Sequence, residues 1–396
     1  MRQEAVMMRW VILAQLCLCM LSYALIFQSI PPIMSLVISQ FKLSHYQAGL
    51  LMSLFALPGI LVSLPAGMVA DRYGVKPVGI FSFLLALLGS FLVANGPSFE
   101  MLLVGRILAG IGASSLVITI PQAIAQWFSD RHMGIAMGIY NTAMPIGTII
   151  SLNGLSHMAG VWGWRAAVWA TVFFTAIIFV IFAVFYRQPD HKDRLENQGK
   201  KDQNREGIGT SIFFVGFSWA LFNASIISLF TFAPDFLVSR GMTLDHAGFS
   251  TSLVMIASMC LSPIVGLIID KIGQKELFIA AGGLGMAVFI ALIPGIGGAF
   301  SLFLLCVGVA SALIPVSVFS LAADVVSFQR LGLGYGILSM LNNVGMFVGP
   351  QAAGLGRDLT GSYQISFLVM AFFAFFCTIT ILSLWLKRRG ASSGNR

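Results

Sequence analysis

Twelve long apolar runs, separated by short polar links, limit most strongly what this chain can fold into. Each run has about 20 residues or more, the length that an α-helix needs to cross the hydrocarbon core of a bilayer. Hydrophobic residues make up 58% of the chain and charged residues only 10%, whereas soluble domains carry about 25% charged residues. We therefore predict an all-α membrane protein with twelve transmembrane helices, at 10–38, 46–71, 76–95, 99–128, 132–157, 164–187, 209–238, 245–270, 276–294, 298–325, 331–356 and 362–387.

A charged signature occurs twice, 199 residues apart. The first copy, Gly67–Lys76, reads GMVADRYGVK, and the second, Gly266–Lys275, reads GLIIDKIGQK. Ser44 and Thr243 have the same spacing, and each precedes an apolar run as a helix N-cap residue would. The chain is therefore predicted to contain two copies of one half.

A second repeat links the fifth and eleventh runs. Three glycines of one run match three of the other at a spacing of 198 residues, namely Gly134, Gly138 and Gly147 with Gly332, Gly336 and Gly345. Parallel repeats of six helices fit this spacing. We predict two pseudo-symmetric six-helix bundles, at residues 1–187 and 209–396, joined by a polar cytoplasmic linker at 188–208 that has no apolar periodicity.

The distribution of Lys and Arg predicts the orientation in the membrane. With the N-terminus inside, 18 of these residues lie on the inner side and 4 on the outer side, and Arg106 lies within a span. Cytoplasmic loops carry the excess of positive charge, so we predict that both termini are cytoplasmic. The first run is followed by further spans and is predicted to be a retained helix rather than a cleaved signal peptide.

Several classes of function are disfavoured by what the sequence contains. The five cysteines lie inside apolar runs and lack metal-ligand spacing, so they are interpreted as packing residues. The net charge of +8 is spread over the links instead of one soluble face, which does not indicate nucleic-acid binding. No nucleotide fingerprint or catalytic cluster is present. We expect no cofactor, no metal and no enzyme activity, and a monomer in the lipid bilayer.

The signature at Gly67–Lys76 resembles the loop between the second and third helices of the major facilitator superfamily. Four other segments resemble further motifs of this family: Arg106–Gly112, Phe128–Gly138, Gly163–Arg165 and Asp358–Tyr363. The resemblance covers the whole chain and implies a secondary transporter of the inner membrane that works by alternating access. Its nearest branches resemble the cyanate- and nitrate-type anion porters.

In the fifth predicted helix, this sequence departs from the pattern of the family that it resembles. Exchanger-type members have a Gly-Pro pair there, whereas Met144-Pro145-Ile146-Gly147 keeps the Pro and one Gly only. Uniport, symport and exchange therefore all stay open.

The resemblance also implies a gate on the inner side. Asp71 would face the start of the eleventh helix and Asp270 the start of the fifth, because an anion is stabilised at a helix N-terminus by ~0.3–1 kcal/mol. The alternative is that these are ordinary loop charges that follow the positive-inside rule. The implied gating residues are Asp71, Arg72, Gly74, Lys76, Asp270, Lys271, Gly273 and Arg131.

Arg106 is the cation placed deepest within a predicted span. A charge at this depth needs a partner or a wet cavity. Two roles stay open: it could attract an anionic substrate or bias proton movement, or it could be structural, bonded to backbone carbonyls between packed helices.

Acidic residues lie only at the ends of spans, in loops or in tails. A proton-coupled carrier of neutral solutes or drugs would need a titratable group in its cavity, whereas an uncompensated Arg106 suits an anion. We therefore expect a small organic or inorganic anion as substrate, with H⁺ as one candidate coupling ion. Proton-coupled efflux of lipophilic or cationic drugs is the alternative.

Polar side chains in the middle of spans are candidates for the substrate path, because hydroxyls and amides can replace part of a solute's hydration shell. The competing interpretation is that they join helices to each other. Together with Arg106, the candidates are Tyr23, Gln28, Gln122, Tyr140, Asn141, Trp219, Asn223, Asn342 and Asn343.

Overall fold

The computed structural model describes residues 2–128, 132–188, 210–326 and 331–393, and all their regular secondary structure is helical, as predicted. Short 3₁₀ turns occur at Pro31–Ile33 and Ile293–Gly295, and a π turn at Ser151–Leu155. The α-helices are α1 (Arg2–Phe27), α2 (Met34–Phe41), α3 (His45–Tyr73), α4 (Val75–Asn95), α5 (Phe99–Trp127), α6 (Met133–Ile150), α7 (Ser156–Trp162), α8 (Trp164–Phe185), α9 (Ser211–Ser239), α10 (Leu244–Ile272), α11 (Lys275–Leu292), α12 (Phe300–Val325), α13 (Leu331–Thr360) and α14 (Tyr363–Ser393).

Eleven helical segments of the described residues are long and apolar enough to cross a bilayer. Two of them each combine two α-helices, α1 with α2 and α6 with α7. The predicted eleventh run is α13, which is not among the eleven although its 30 residues exceed the length required. This helix carries three amides, Asn342, Asn343 and Gln351. With α13 included, the helices account for the twelve predicted runs.

The contacts between residues divide the chain into two compact units. The first contains Met1–Ile33 and Leu54–Gln203, and the second contains Met34–Ser53 and Asn204–Arg396. The division falls inside α3, so α2 and the first nine residues of α3 belong to the second unit. The bundle boundaries and the linker given above stay predictions, and most of the linker lies outside the described residues.

Within the first unit, glycines bring α4 and α5 into backbone contact. A Cβ atom on Gly89 would overlap the backbone of Ala109, and one on Gly112 would overlap the carbonyl of Ser82. Small residues of this kind let membrane helices approach closely, where the lipid supplies no hydrophobic driving force for association. The α4–α5 pair therefore depends on positions that accept no side chain.

One pair of repeat glycines, Gly147 and Gly345, lies at a close helix–helix contact in each unit. A Cβ atom on Gly147 of α6 would overlap the Ala24 side chain of α1, and one on Gly345 of α13 would overlap the carbonyl of Ala220 on α9. By contrast, Gly138 and Gly336 face open space. Gly147 therefore lies at the contact between α6 and α1, and the matching Gly345 lies at the contact between α13 and α9.

The two predicted N-cap residues are confirmed. The Ser44 hydroxyl accepts a hydrogen bond from the backbone N–H of Gln47 (3.2 Å), and the Gln47 side chain accepts one from the N–H of Ser44 (2.9 Å). This reciprocal pair is a capping box. The Thr243 hydroxyl accepts from the N–H of His246 (3.3 Å).

Candidate functional site

The first apolar run is broken near its middle. Helix α1 ends at Phe27, a 3₁₀ turn follows at Pro31–Ile33, and α2 begins at Met34. Pro31 and Pro32 have no backbone N–H, and a proline disfavours the helical conformation of the residue before it. The break leaves the last carbonyl groups of α1 without their usual partners inside the helix. That of Ile26 accepts from the hydroxyl (2.8 Å) and the backbone N–H (3.4 Å) of Ser29, and further donors come from other helices.

Arg106 of α5 supplies two of these donors. Its guanidinium donates to the carbonyls of Ile26 (2.9 Å) and Phe27 (3.1 Å), and it lies over the ring of Phe55, 4.4 Å from the ring centre. The side chain is only 1% exposed. Because a helix C-terminus carries about half a negative charge, these carbonyls stabilise the buried guanidinium.

A third carbonyl at the break, that of Gln28, accepts a hydrogen bond from the Ser151 hydroxyl (2.5 Å). Ser151 begins the π turn that follows α6, and such turns frequently mark functional sites. The Gln28 side chain is fully buried, and neither Oε1 nor Nε2 has a hydrogen-bond partner in the described residues. A buried amide without partners is unfavourable, so this side chain can accept a polar ligand.

The remaining candidates of the first unit fall into two groups. Tyr23 stacks on Phe27, with 6.1 Å between ring centres, and so lies in the same cluster as Arg106. The Tyr140 hydroxyl donates to the sulfur of Met20 (3.4 Å) and belongs to the apolar core. Gln122 has a buried Oε1 without a partner in the described residues, and Asn141 is exposed.

In the second unit, the candidate amides bond mainly within their own helices. Asn223 Nδ2 donates to the carbonyl of Trp219 (2.8 Å), and Asn343 Nδ2 donates to that of Ser339 (3.0 Å). Asn342 Nδ2 approaches the sulfur of Met346 (3.1 Å). The Trp219 ring stacks on Phe222 and contacts the edge of Phe319. Within the part of the chain that the structure describes, each amide keeps its side-chain oxygen and one N–H without a hydrogen bond.

The two gating signatures differ in their backbone geometry. Gly74 precedes α4 with φ 93° and ψ 163°, and the Gln188 side-chain oxygen, when directed at this helix start, accepts from the N–H groups of Val75 (2.7 Å) and Lys76 (2.8 Å). Gly273 ends α10 in the left-handed conformation, with φ 73° and ψ 0°.

Of the other gating residues, Arg72 lies over the ring of Tyr73, 5.4 Å from its centre, and Lys271 is exposed. The side chains of Asp71 and Asp270 and all of Arg131 lie outside the described part of the chain.

The difference between the two glycines leads to a test. Asparagine tolerates the left-handed region at Gly273, whereas the conformation of Gly74 is accessible essentially to glycine alone. We expect Gly74→Asn to lower the free energy of unfolding by roughly 1–3 kcal/mol, and Gly273→Asn to have a much smaller effect. Thermal unfolding of the purified variants measures both, and equal losses would contradict the assigned geometry.

One cluster was not predicted from the sequence. His45, Asp235, Asp358 and Tyr363 come from four segments of the second unit, and the ring nitrogens of His45 lie within 3.4 Å of the other three side chains. The sequence placed each of them at the end of a span or in a loop, but gave no signal that they meet. His45 is separated from Asp358 by 313 residues.

Comparison with known proteins agrees with this architecture. The profile of the Major Facilitator Superfamily matches residues 16–243 and 208–396. Proteins named probable nitrate transporter NarT are 24% identical, from Staphylococcus haemolyticus over 90% of this chain and 92% of the relative, and from Staphylococcus carnosus over 92% and 93%.

Solved structures of low sequence identity share the fold. The nucleoside transporter NupG superposes with a TM-score of 0.76 at 14% identity, covering 94% of this chain and 98% of that one. A bacterial homolog of the human lysosomal transporter Spinster, in an inward-facing and occupied conformation, gives 0.78 at 16% identity, covering 96% and 97%.

The matched profile covers nearly the whole chain, so the protein belongs to the Major Facilitator Superfamily. It is a multi-pass membrane transporter of a small-molecule substrate and not an enzyme.

Proposed function

We propose that this transporter moves a small inorganic anion of the nitrate class across the membrane. The observation that carries the proposal is the burial of Arg106, which is the only buried Lys or Arg among the described residues. The relatives named nitrate transporters support the same class of substrate.

The distribution of buried charge favours an anion over a cation. The other buried charged residues in the described part of the chain are Asp235 and Glu276, each 8% exposed. Asp235 lies in the last two turns of α9, and Glu276 is the second residue of α11, so both are near helix ends. A buried cation attracts an anion and repels a cation, and the interaction is strong where water is excluded.

Gln28 is the amide that we propose to contact the substrate in the first unit. It immediately follows the α1 carbonyls to which Arg106 donates. Its Nε2 can donate to an oxyanion, and donors of this kind replace the hydration shell that an anion loses on binding. The free N–H groups of Asn223 and Asn343 are the proposed donors of the second unit. Tyr23, Gln122, Tyr140, Asn141, Trp219 and Asn342 stay in the proposed lining.

Alternating access is the proposed mechanism, driven by ion gradients and not by ATP. The gating role of Asp71 and Asp270, the cytoplasmic location of both termini and of the linker, and the monomeric state belong to this proposal. The repeat supports it, because transporters built from repeats work by moving one repeat or bundle against another.

Counterflow in proteoliposomes tests the substrate class. Vesicles that contain the purified protein are loaded with unlabelled nitrate, and the entry of ¹⁵N-nitrate is followed. We expect entry to depend on internal nitrate and to be inhibited by nitrite or cyanate. Vesicles loaded with an uncharged nucleoside or with tetraphenylphosphonium serve as matched controls. Exchange of the lipophilic cation without exchange of nitrate would overturn the proposal in favour of drug efflux.

A further inference from the structure

We propose that His45, Asp235, Tyr363 and Asp358, the His45 cluster, form a proton-binding site that fastens the start of α3 to the rest of the second unit. No acidic residue lies in the middle of a span, so a coupling proton would need a peripheral site of this kind. Coupling to transport rests on the function proposed above, whereas proton binding and its effect on α3 do not.

The imidazole of His45 lies between two carboxylates. Its Nδ1 is 3.3 Å from Asp358 Oδ1, and its Nε2 is 3.4 Å from Asp235 Oδ2 and 3.1 Å from the Tyr363 hydroxyl. The Tyr363 hydroxyl in turn donates to Asp235 Oδ2. The His45 and Asp235 side chains are 19% and 10% exposed. The ring is therefore surrounded by acceptors on both edges.

Counting hydrogens shows that the cluster lacks one proton when His45 is neutral. An ionised Asp358 can only accept, so the single N–H of a neutral imidazole belongs on Nδ1. The Tyr363 hydrogen is used by Asp235. The lone pair of Nε2 then faces the oxygens of Tyr363 and Asp235, with no hydrogen between them. A proton from solvent that binds Nε2 creates the missing donor, and no other bond needs to break.

The other charges around the ring favour the same protonation. Arg357 lies over the Tyr363 ring, 4.6 Å from its centre, and is the cation in contact with the cluster. With Arg357 counted, protonation of His45 removes the excess negative charge of the two carboxylates. The N-terminus of α3 opposes a cation, but Asp358 accepts from the backbone N–H groups of His45 (2.8 Å) and Tyr46 (2.7 Å) at that terminus.

The cluster lies at a close contact between α3 and α13. A Cβ atom on Gly354 of α13 would overlap the backbone of His45, and one on Gly49 would lie 2.6 Å from the carbonyl of Pro350. The backbones of α3 and α13 touch at this contact, so a change in the His45 cluster cannot be absorbed by side-chain movement alone and shifts α3 itself. A proton on Nε2 of His45 therefore adds a donor that holds α3 at this contact, and a neutral ring lacks that donor.

A cavity lies beside the cluster. It has a volume of about 240 Å³, and Arg357 and Tyr363 are among its lining residues. Its wall also includes Arg240, Ser362 and Gln364. A cavity of this size with polar walls has room for water, so Tyr363 is the member of the cluster that solvent would reach through it.

Hydrogen exchange of the full-length protein in nanodiscs tests proton binding. Amide exchange in peptides that cover 44–52 is measured from about pH 5.5 to about pH 8.5, where histidine titrates, and is corrected for intrinsic rates. We expect protection to fall by roughly tenfold or more across this range, since one linked proton can change it by at most about tenfold per pH unit. Protection that does not change with pH would overturn the proposal.

Two variants and a control separate proton binding from simple destabilisation. Asp235→Asn supplies an N–H to Nε2 of a neutral His45, so protection should stay high at all pH values. His45→Gln should remove the pH dependence. His246→Gln changes an exposed histidine near the start of α10 and should behave like the wild type. Low protection of Asp235→Asn at every pH, or an unchanged pH profile in His45→Gln, would contradict the proton count.

Transport separates this inference from the proposed substrate. Counterflow needs no net proton movement, so His45→Gln should retain nitrate counterflow but lose its stimulation by a proton gradient. Retained stimulation would overturn the coupling role. If counterflow were absent from every form, including the wild type, the substrate proposal would fail and hydrogen exchange alone would decide the proton site.

Discussion

Replacing Arg106 with glutamine is expected to destabilise the first unit strongly. The variant loses two buried hydrogen bonds from a charged group to the carbonyls of Ile26 and Phe27, and such bonds contribute about 1.5–3 kcal/mol each. Since glutamine can satisfy one of these carbonyls and leaves the other without the bond, we expect a loss of about 1.5–3 kcal/mol, in a protein whose total stability is of order 5–15 kcal/mol. The unfolding temperature of the purified variant should fall by about 5–10 °C.

Arg165→Gln is the matched control. Arg165 is exposed and also donates to a backbone carbonyl of the first unit, that of Gly96 (3.1 Å). Because water replaces an exposed hydrogen bond readily, this variant should lose less than about 1 kcal/mol. If Arg106→Gln and Arg165→Gln lowered the free energy of unfolding equally, the buried contacts at the end of α1 would contribute no more than an exposed hydrogen bond.

The same variant distinguishes the two roles considered for Arg106. If stability falls but the remaining folded protein still exchanges nitrate, Arg106 is a structural residue that caps α1. If nitrate exchange is lost while stability is unchanged, Arg106 binds substrate. Arg106→Lys keeps the charge but not the fork of donors, so we expect intermediate stability and partial exchange. Exchange lost completely in Arg106→Lys would contradict a role through charge alone.

Gly345→Val is expected to have a comparably large effect on the second unit. Any Cβ atom at this position overlaps the backbone of Ala220, which cannot move aside as a flexible side chain would. Overpacking costs typically 1–3 kcal/mol and occasionally more, and a backbone contact places this variant at the upper end. We expect a large fall in the unfolding temperature and in the yield of folded protein.

Gly336→Val on the same helix separates this contact from helix propensity. Nothing lies within 4 Å of the position that its Cβ would occupy. Both variants replace glycine with the same residue within α13, so the difference between their unfolding temperatures isolates the contact with α9. If the two variants unfold alike, α9 and α13 do not touch at Gly345.

The sequence carried enough information for most of the helical architecture. Apolar runs define helices because a bilayer leaves backbone groups no other partner. The Ser44 and Thr243 caps and the close contacts of Gly147 and Gly345 followed from a repeat, in which each half supports the interpretation of the other. The break after Phe27 was missed, although Pro31 and Pro32 lie inside the run that we treated as one helix.

The chemistry of the candidate sites was harder to predict. The partners of Arg106 are backbone carbonyls, which every residue has, so no side-chain pattern marks them. The His45 cluster joins side chains 128 to 318 residues apart in the chain, and only the packing of α3 against three other segments brings them together. Short motifs record local chemistry, whereas these contacts depend on tertiary structure.

Helix α13 determines how many crossings are counted for this chain. Among the described residues, eleven helical segments are long and apolar enough to cross a bilayer, and α13 is not one of them. An even number of crossings puts both ends of a polypeptide in the same compartment, whereas an odd number separates them. A reporter fused to the last residue would therefore test whether α13 crosses the membrane.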